Sequence, residues 1–381
     1  MRILIVKLSS IGDVVHALPA AALLKHALPD ARISWVVERR ASSILKDSPA
    51  IDDLIEIDTR GWRKNIFNKP ASSGVRGTLG RLRNADDNGG RQNQECPDVA
   101  IDFQGLIKSG VVAFASRARN RIGFETAELR EKPSRFFLTE QVSTTQFRHV
   151  IEKNLALARA AIVRAGGSTA ENSNRNDAAY EFPIAVASED ERYVEEAIGA
   201  AGNRFAIINP GGGWPTKLWP AERYAQLADW LSSEWDISSF VTYGPGEEEL
   251  ARKVERHART GAARLLGSSL KQFVALARRA ALFVGGDTGP LHLAAASGTP
   301  IVGIYGPTSP ERNGPFDERD VVVGRDLWCR ADCHRRKCWH WQCMDIPTSV
   351  VQSAVSARLE RVKQGAKVGD DLMAAQSVFD L

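Results

Sequence analysis

The sequence lacks any run of about 18 consecutive apolar residues, the length that a helix needs to cross a bilayer. Its first apolar run, residues 3–6, is short, is followed by Lys7, and has no cleavage-type sequence after it, so it predicts a strand and not a signal peptide. The chain also lacks a nucleic-acid recognition motif, and its pI near 8.8 is only mildly basic. These absences predict a cytoplasmic protein with no nucleic-acid partner.

Paired C-x-x-C motifs, the usual mark of a zinc site, are missing as well. Four of the five cysteines nevertheless lie in one segment, separated by three, four and four residues: Cys329, Cys333, Cys338 and Cys343. His334 and His340 lie among them, so the segment is compatible with a metal site or with the reduced thiols that a cytosolic enzyme favours. We predict no metal and no cofactor for the functional site.

What the chain does contain is typical of a soluble globular protein: 381 residues, of which 43% are hydrophobic and 25% charged. This length exceeds one ordinary core and predicts two domains. In each half, short apolar runs alternate with helical patterns, which indicates parallel strands wrapped by helices. The predicted strands are residues 2–8, 33–37, 53–57, 99–103, 205–209, 239–243, 281–284 and 301–305. The predicted helices are residues 14–27, 106–117, 150–165, 221–232, 247–259, 270–277, 290–297 and 349–364.

The polar, turn-rich stretch 166–177 predicts a linker between two Rossmann-like halves. We therefore predict an α/β fold with one domain at residues 1–178, a second at 179–350, and a C-terminal helix and tail at 351–381. The tail beyond Gly365 has no strong pattern, which predicts partial disorder. In such a fold we expect the carboxyl ends of the strands to face a cleft between the domains, where ligands bind.

The segment 284–308 carries the most informative pattern, because a Gly-rich turn joins an apolar strand to a helix of small residues. Asp287, Thr288 and Gly289 open this helix, whose free backbone N–H groups and positive dipole end suit the phosphates of a nucleotide. An ordinary crossover capped by Asp287 has the same pattern. The segment alone is compatible with both interpretations.

Two further strand ends predict a ligand site in the second half. Residues 209–220 carry three consecutive glycines, including Gly212 and Gly213, that open the backbone to a ligand, and Lys217 is placed to meet a phosphate. The turn at 243–249 is acidic, and an acidic side chain there can bind ribose hydroxyls. A flexible loop and a dipole-compensating helix start are the structural alternatives for these segments.

The end of the first strand offers a different group, because Asp13 follows Gly12 at the start of a helix. Such an aspartate is either a helix cap or a general base toward an acceptor hydroxyl. This turn lacks G-x-G-x-x-G, which excludes the common dinucleotide-binding motif there.

Residues 60–85 hold seven basic residues and no acidic one, with two aromatic side chains between them. A solvated surface loop explains this composition. A landing site for a polyanion or an anionic membrane surface explains it equally well.

Three motifs in order resemble glycosyltransferase family 9, the lipopolysaccharide heptosyltransferases. The resemblance covers about residues 1–350 and is carried by the opening MRILIVKLSSIGDVVHALPA, by DTGPLHLAAA at 287–296, and by YGPT at 305–308. Within the family, WVVE at 35–38, RGWRK at 60–64 and DFQGLIKS at 102–109 resemble heptosyltransferase I, the branch that adds the first heptose to Kdo of lipid A.

The resemblance implies a GT-B fold and a metal-independent, inverting transfer from ADP-L-glycero-β-D-manno-heptose to Kdo-lipid A, by a protein in peripheral contact with the cytoplasmic face of the inner membrane. It implies that Asp13 is the general base and that Lys217, with the helix start at Thr288 and Gly289, stabilises the leaving diphosphate. The further donor-binding residues that it implies are Gly212, Gly213, Glu247, Ser268, Asp287 and His292. The acceptor-binding residues that it implies are Ser10, Arg60, Arg63 and Lys64.

The chain departs from the resembling branch in two places. It has Gly212 and Gly213 where that branch has threonines, which leaves only backbone contacts there. The segment ending in CMDI at 343–346 looks more like heptosyltransferase II, which uses the same donor and a heptosylated acceptor. A sugar-nucleotide epimerase of similar architecture, which needs no acceptor, and a non-enzymatic module that binds lipid A or a nucleotide are the remaining alternatives.

Overall fold

The structure is a computed structural model of the chain. It describes residues 1–59, 80, 82, 96–167, 180–199, 204–329, 333, 337–365 and 378–379. The chain forms two compact units, Met1–Ala185 and Val186–Leu381. Most of the predicted linker, residues 168–177, lies outside the described residues. Among the helices that are described, none combines the length and the apolar character needed to span a membrane.

The first unit is built on parallel strands. They are β1 Arg2–Val6, β2 Arg32–Glu38, β3 Asp53–Ile57, β4 Val99–Asp102, β5 Asn120–Phe124 and β6 Glu140–Val142. They form a sheet in the order β3-β2-β1-β4-β5-β6, in which every neighbouring pair is parallel. The helices are α1 Ile11–Val15, α2 Leu18–Ala27, α3 Arg39–Leu45, α4 Ile107–Ala115 and α5 Val150–Arg164, with a 3-10 helix at Lys132–Phe137.

The second unit repeats this plan. Its strands are β7 Phe205–Asn209, β8 Ser238–Tyr243, β9 Ala263–Gly267, β10 Leu282–Gly286, β11 Ile301–Tyr305, β12 Val321–Gly324 and β13 Val378–Phe379. They form a parallel sheet in the order β13-β12-β11-β10-β7-β8-β9. The helices are α6 Ser188–Gly199, α7 Ala221–Trp235, α8 Glu248–His257, α9 Leu270–Arg279, α10 Gly289–Ala296, α11 Pro310–Asn313 and α12 Thr348–Gly365, with 3-10 helices at Pro215–Lys217 and Gln342–Met344.

Both sheets have the Rossmann strand order, so the predicted α/β fold of two Rossmann-like units is confirmed. In each sheet the order reverses between two central neighbours, β1 and β4 in the first unit and β7 and β10 in the second. Ligands of open parallel sheets bind beyond the carboxyl ends of such a pair. The turns after these four strands therefore mark where each unit holds its functional groups.

One prediction about local structure is wrong. The single helix predicted at 14–27 is two helices, because Pro19 lies in the first turn of α2, where its missing N–H and fixed φ start a new helix instead of continuing the old one. Of the tail beyond Gly365, for which partial disorder is predicted, the structure describes β13, in which Val378 pairs with Val322 of β12. Helix α12 packs on β11 and β12, so it belongs to the second unit.

Candidate active site

In the first unit, the turn after β1 holds Asp13 on its own helix start. The backbone N–H and the hydroxyl of Ser10 both donate to Asp13 Oδ2, at 2.9 and 3.0 Å. The Arg130 guanidinium lies 3.5 Å from Asp13 Oδ1. The two predicted residues of this turn, Ser10 and Asp13, are thus brought together, and a cation that the sequence did not reveal lies beside them.

These neighbours lower the pKa of the Asp13 carboxyl. Burial raises the pKa, but the positive charges of Lys7 and Arg130 and the hydrogen bonds from Ser10 outweigh burial. The Lys7 ammonium donates to the carbonyl of Phe103 at 2.6 Å, which fixes its charge in place. Asp13 is therefore ionised at neutral pH and able to accept a proton.

Gln104, which follows β4, fastens the turn after β1. Its Oε1 accepts from the backbone N–H groups of Leu8 and Ser9, at 2.8 and 3.2 Å, and its Nε2 donates to the carbonyl of Ser9. Asp102 in turn accepts from the N–H groups of Gln104 and Gly105, at 2.9 and 3.2 Å. Burial raises the pKa of Asp102, which these hydrogen bonds only partly offset. The turn that carries Asp13 is thus held by the adjacent strand end.

In the second unit, Lys217 and Asp287 form a buried ion pair. The Lys217 ammonium donates to Asp287 Oδ2 at 2.6 Å and to the Asp287 carbonyl at 2.9 Å, and the side chains are only 11% and 4% exposed. It also lies 4.5 Å from the centre of the Trp214 ring, a cation–π distance. An ammonium carries three N–H bonds, so Asp287 leaves one of them for a ligand.

The other oxygen of Asp287 is occupied too. Asp287 Oδ1 accepts from Asn313 Nδ2 at 2.8 Å and lies 3.2 Å from His292 Nε2. Burial raises the pKa of Asp287, but His292 and Lys217 outweigh it and hold that pKa well below its usual range. Because the carboxylate is ionised and can only accept, His292 Nε2 is the donor in this contact. Asp287 therefore fixes the position of the Lys217 ammonium.

Helix α10 begins just after Asp287. Thr288 is the N-cap residue, with its hydroxyl 3.3 Å from the carbonyl of Gly286, and Gly289 is the first helical residue. Pro290 follows and has no N–H, so the N–H groups of Gly289 and Leu291 are the first-turn donors without an intrahelical acceptor. They offer an anion two hydrogen bonds and the positive end of the helix dipole.

Three consecutive glycines follow β7, and the first of them, Gly211, lies against Glu247. A Cβ at Gly211 would overlap the Glu247 carboxylate, which also accepts from the N–H of Gly244 at 3.2 Å. Gly212 has no room for a Cβ, since Leu218 Cδ2 would lie at 2.8 Å, and Gly213 has φ +72°. Close approach of neighbouring side chains thus explains Gly211 and Gly212, and the left-handed backbone conformation explains Gly213.

The remaining predicted site residues are not joined by hydrogen bonds to the groups above, or lie outside the described residues. Ser268 follows β9 at the carboxyl edge of the same sheet, and within the described residues no hydrogen bond joins it to Lys217 or Glu247. Three predicted acceptor-binding residues of the basic stretch 60–85 lie outside the described residues: Arg60, Arg63 and Lys64.

The cysteine segment is only partly described, and His334 lies outside the described residues. Its four cysteines, Cys329, Cys333, Cys338 and Cys343, are free thiols. Burial, and then electrostatic interaction with the three other cysteines, raise the pKa of the Cys343 thiol. Among the residues that the structure describes, no three His, Cys, Asp or Glu side chains are arranged to hold a metal ion.

Sequence reasoning missed Arg130 and the role of Gln104 in the first unit, and Asn313 in the second. Arg130 lies in a loop without a motif, and Asn313 ends the four-residue helix α11. Gln104 could have been found, because it follows β4, which neighbours β1 at the switch point of the sheet.

Known proteins resemble this chain over most of its length. The heptosyltransferase 1 of Pseudomonas aeruginosa is 28% identical over 347 residues, covering 89% of this chain and 87% of the relative. That of Escherichia coli is 28% identical over 334 residues, covering 87% and 94%. The structure of E. coli heptosyltransferase WaaC with ADP, 24% identical, covers 94% of this chain and 100% of its own, with a TM-score of 0.73. Its likeness confirms the predicted GT-B fold.

The family model described as glycosyltransferase family 9 (heptosyltransferase) matches residues 91–340, which is more than half of the chain. The match includes the second-unit cluster of Lys217, Asp287 and His292. The predicted enzyme class and family are therefore confirmed: this chain is a glycosyltransferase and belongs to glycosyltransferase family 9, the heptosyltransferases.

Proposed function

We propose that the protein transfers L-glycero-D-manno-heptose from ADP-heptose to the Kdo of Kdo-lipid A, a step of lipopolysaccharide inner-core synthesis. The observation that carries this proposal is the Lys217 ammonium, fixed by Asp287 beside the start of α10. Two relatives named lipopolysaccharide heptosyltransferase 1, and a structural neighbour solved with ADP, support the donor and the acceptor.

In the proposed reaction, the Asp13 carboxylate takes the proton of the attacking Kdo hydroxyl. The hydroxyl oxygen bonds to the anomeric carbon of the heptose from the face opposite the diphosphate, so the configuration inverts. The bond from that carbon to the diphosphate oxygen breaks, and ADP leaves with its electron pair. Because its pKa is lowered, Asp13 is a weak base, and the proton moves as the new bond forms and the hydroxyl becomes acidic.

Negative charge grows on the diphosphate as the bond breaks, and the second unit supplies the groups that stabilise it. The third N–H of Lys217 and the N–H groups of Gly289 and Leu291 are fixed before the reaction, so no free energy is spent on orienting them. Asp287 acts through Lys217, and His292 and Asn313 hold Asp287.

The rest of the donor occupies the neighbouring strand ends. Glu247, held at Gly211 and Gly244, accepts hydrogen bonds from the ribose hydroxyls of ADP. The backbone of Gly212 and Gly213 approaches the nucleotide without a side chain between them. Ser268 and Thr288 complete the donor contacts.

The acceptor belongs to the first unit in this proposal. Ser10 and the basic residues Arg60, Arg63 and Lys64 contact the acidic groups of Kdo-lipid A, whose acyl chains lie in the bilayer. The enzyme then works at the cytoplasmic face of the inner membrane, in peripheral contact with its surface.

The test is to incubate the protein with ADP-heptose and, in separate reactions, Kdo-lipid A, heptosyl-Kdo-lipid A or no acceptor. We expect the mass of one heptose to be added to Kdo-lipid A, with release of ADP. Addition to heptosyl-Kdo-lipid A alone would overturn the acceptor and assign the second heptose, which the segment at Cys343 favours. A change in ADP-heptose without acceptor would contradict transfer and identify an epimerase.

A further inference from the structure

Helix α4 exposes an apolar face to solvent. Ile107, Val111 and Phe114 follow at intervals of four and three residues, so they lie on one side of the helix, and they are 41%, 45% and 57% exposed. Val112 and Ala113, on the other side, are buried. A helix that is apolar on both sides at the surface of a unit marks an interaction surface.

The 3-10 helix Lys132–Phe137 widens this face. Phe137 packs onto α4 so closely that a Cβ at Gly110 would lie 2.8 Å from its ring, and its ring centroid is 6.1 Å from that of Phe114. The preceding residue, Phe136, is 73% exposed. We call the four exposed side chains the apolar ridge: Ile107, Val111, Phe114 and Phe136.

Cations lie in the same two segments of the chain as the apolar ridge, and two of them contact its rings. Residues 107–121 contain four basic and no acidic residues, and residues 132–137 contain two basic and no acidic residues. These six cations are Lys108, Arg117, Arg119, Arg121, Lys132 and Arg135. Arg135 lies 4.7 Å above the ring of Phe136, and Arg121 lies 5.5 Å above that of Phe114. Glu38, near Lys108, and Glu131 are the neighbouring acids, and Glu131 is engaged by the N–H of Ile107.

We infer that the apolar ridge and its cations dock on the anionic headgroup layer of a bilayer. Aromatic and aliphatic side chains that enter the interface, ringed by cations that meet lipid phosphates, are the two components of interfacial binding. A second copy of the chain fits poorly, because a two-fold contact through this face would set six cations against six cations.

The apolar ridge begins close to the loop that contacts Asp13. Arg130 contacts Asp13 at 3.5 Å, and the next residue, Glu131, accepts from the N–H of Ile107 at 2.7 Å. One short loop thus joins the general base to the start of α4. The inference rests on the proposed function in one respect: a lipid-linked acceptor makes it useful for this face to meet the membrane.

The first test measures sedimentation of the purified full chain with vesicles of phosphatidylcholine alone or mixed with phosphatidylglycerol. The double variant Phe114→Ser/Phe136→Ser should bind the mixed vesicles at least about tenfold more weakly than wild type. The matched control Val163→Ser/Val362→Ser, which removes two other exposed apolar side chains, should bind as wild type does. Wild-type binding by the Phe114→Ser/Phe136→Ser variant would overturn the inference.

The second test removes charge. Lys132→Gln/Arg135→Gln should weaken binding to the mixed vesicles by roughly fivefold for each cation and make it less sensitive to salt. Arg252→Gln/Arg256→Gln, on the exposed face of α8, is the control and should change nothing. The inference would be overturned if the wild type bound both vesicle types with equal affinity. It would also be overturned if the wild type formed a dimer that the Phe114→Ser/Phe136→Ser variant abolishes.

An acyl-free, water-soluble Kdo acceptor separates this inference from the proposed function. The Phe114→Ser/Phe136→Ser variant should turn over that acceptor as wild type does and lose rate only with vesicle-bound Kdo-lipid A. Equal loss with both acceptors would overturn a docking role. If wild type transfers heptose to neither acceptor, the proposed function fails, and vesicle binding still decides whether this face meets lipid.

Discussion

Lys217 and Asp287 make two hydrogen bonds to each other, one through the carboxylate at 2.6 Å and one through the backbone carbonyl at 2.9 Å. The pair is nearly buried, and Asn313 and His292 engage the remaining oxygen. A lysine side chain is normally free to rotate, but this ammonium has one position. Its charge is therefore present and oriented before any diphosphate arrives.

Replacing this ammonium should remove both catalysis and stability. Lys217→Met should lower kcat/KM for transfer by about 100- to 1000-fold, because the leaving diphosphate loses a fixed cation. It should also lower the free energy of unfolding by about 3–5 kcal/mol, because the buried Asp287 carboxylate loses its partner. Initial rates and urea unfolding measure the two effects. The double variant Lys217→Met/Asp287→Asn should regain stability but not rate; recovery of the rate would contradict the assigned role.

Asp13→Asn tests the proposed base with the shape of the side chain preserved. We expect kcat to fall by about 100- to 10,000-fold, because the acceptor hydroxyl keeps its proton. ADP affinity, measured by calorimetry, should equal that of wild type, because Asp13 belongs to the first unit and the proposed nucleotide contacts to the second. A variant with near wild-type kcat would remove Asp13 from the chemistry.

The pH profile of transfer should report the charges around Asp13. The base must be ionised, and its pKa is lowered, so the rate should stay constant down through pH 5 and fall only at more acidic pH. Arg130→Gln removes a cation that favours ionisation, so the pKa of Asp13 should rise and the acidic limb of kcat/KM should move to higher pH. Arg164→Gln, at the end of α5, is the control. An unshifted limb in the Arg130 variant would contradict this electrostatic link.

Gly211→Ala should weaken ADP binding by about tenfold, the effect of losing one hydrogen bond to a charged group. The new Cβ displaces the Glu247 carboxylate, which can swing away without unfolding the unit. Gly261→Ala is the control, because it strains a positive φ of +69° far along the chain from these residues and should lower stability without changing ADP affinity. An unchanged dissociation constant for Gly211→Ala would exclude Glu247 from the nucleotide site.

Arg358→Met should lower the free energy of unfolding by about 3–5 kcal/mol. The Arg358 Nε donates to Asp320 Oδ1 at 2.8 Å, both side chains are almost fully buried, and the same oxygen accepts from the N–H of Ile301. Removal of the cation leaves the Asp320 carboxyl, whose pKa burial already raises to about 7, with the N–H of Ile301 as its remaining partner. Arg361→Met, on the same helix α12 but at its exposed side, should cost less than about 1 kcal/mol in urea unfolding. If both variants lost the same free energy of unfolding, burial would not explain the contribution of Arg358.

Strands with an apolar sequence could be predicted. The predicted bounds of the central strands β7 and β11 equal those observed, because a parallel strand covered on both faces reads as one apolar run. The predicted bounds of the edge strand β3 also equal those observed. Polar or very short strands could not be predicted. β5 begins with Asn120 and Arg121, and β6 has three residues, so pairing with a neighbour defines them and not their own hydrophobicity.

The candidate site residues also divide into those that the sequence marks and those that it does not. Lys217, Asp287 and His292 lie in segments whose glycines and strand ends mark them, and the structure brings the three together. Arg130, which contacts Asp13, lies in a loop without a motif, and Asn313, which contacts Asp287, ends the short helix α11. The sequence also could not show that Asp287 is fully engaged by its own unit, because hydrogen-bond partners 26 and 70 residues away become neighbours only in the folded unit.

The clamp by Gln104 has a consequence for the order in which the first unit assembles. Gln104 accepts hydrogen bonds from a turn 95 residues earlier in the chain, so these bonds cannot form until β4 has paired with β1. Contacts of such sequence separation carry a large loop-closure entropy and come late in folding. The turn that carries Asp13 should thus be among the last parts of the unit to order on folding and among the first to loosen on unfolding. Loss of transfer activity should then precede loss of helix signal when denaturant is raised.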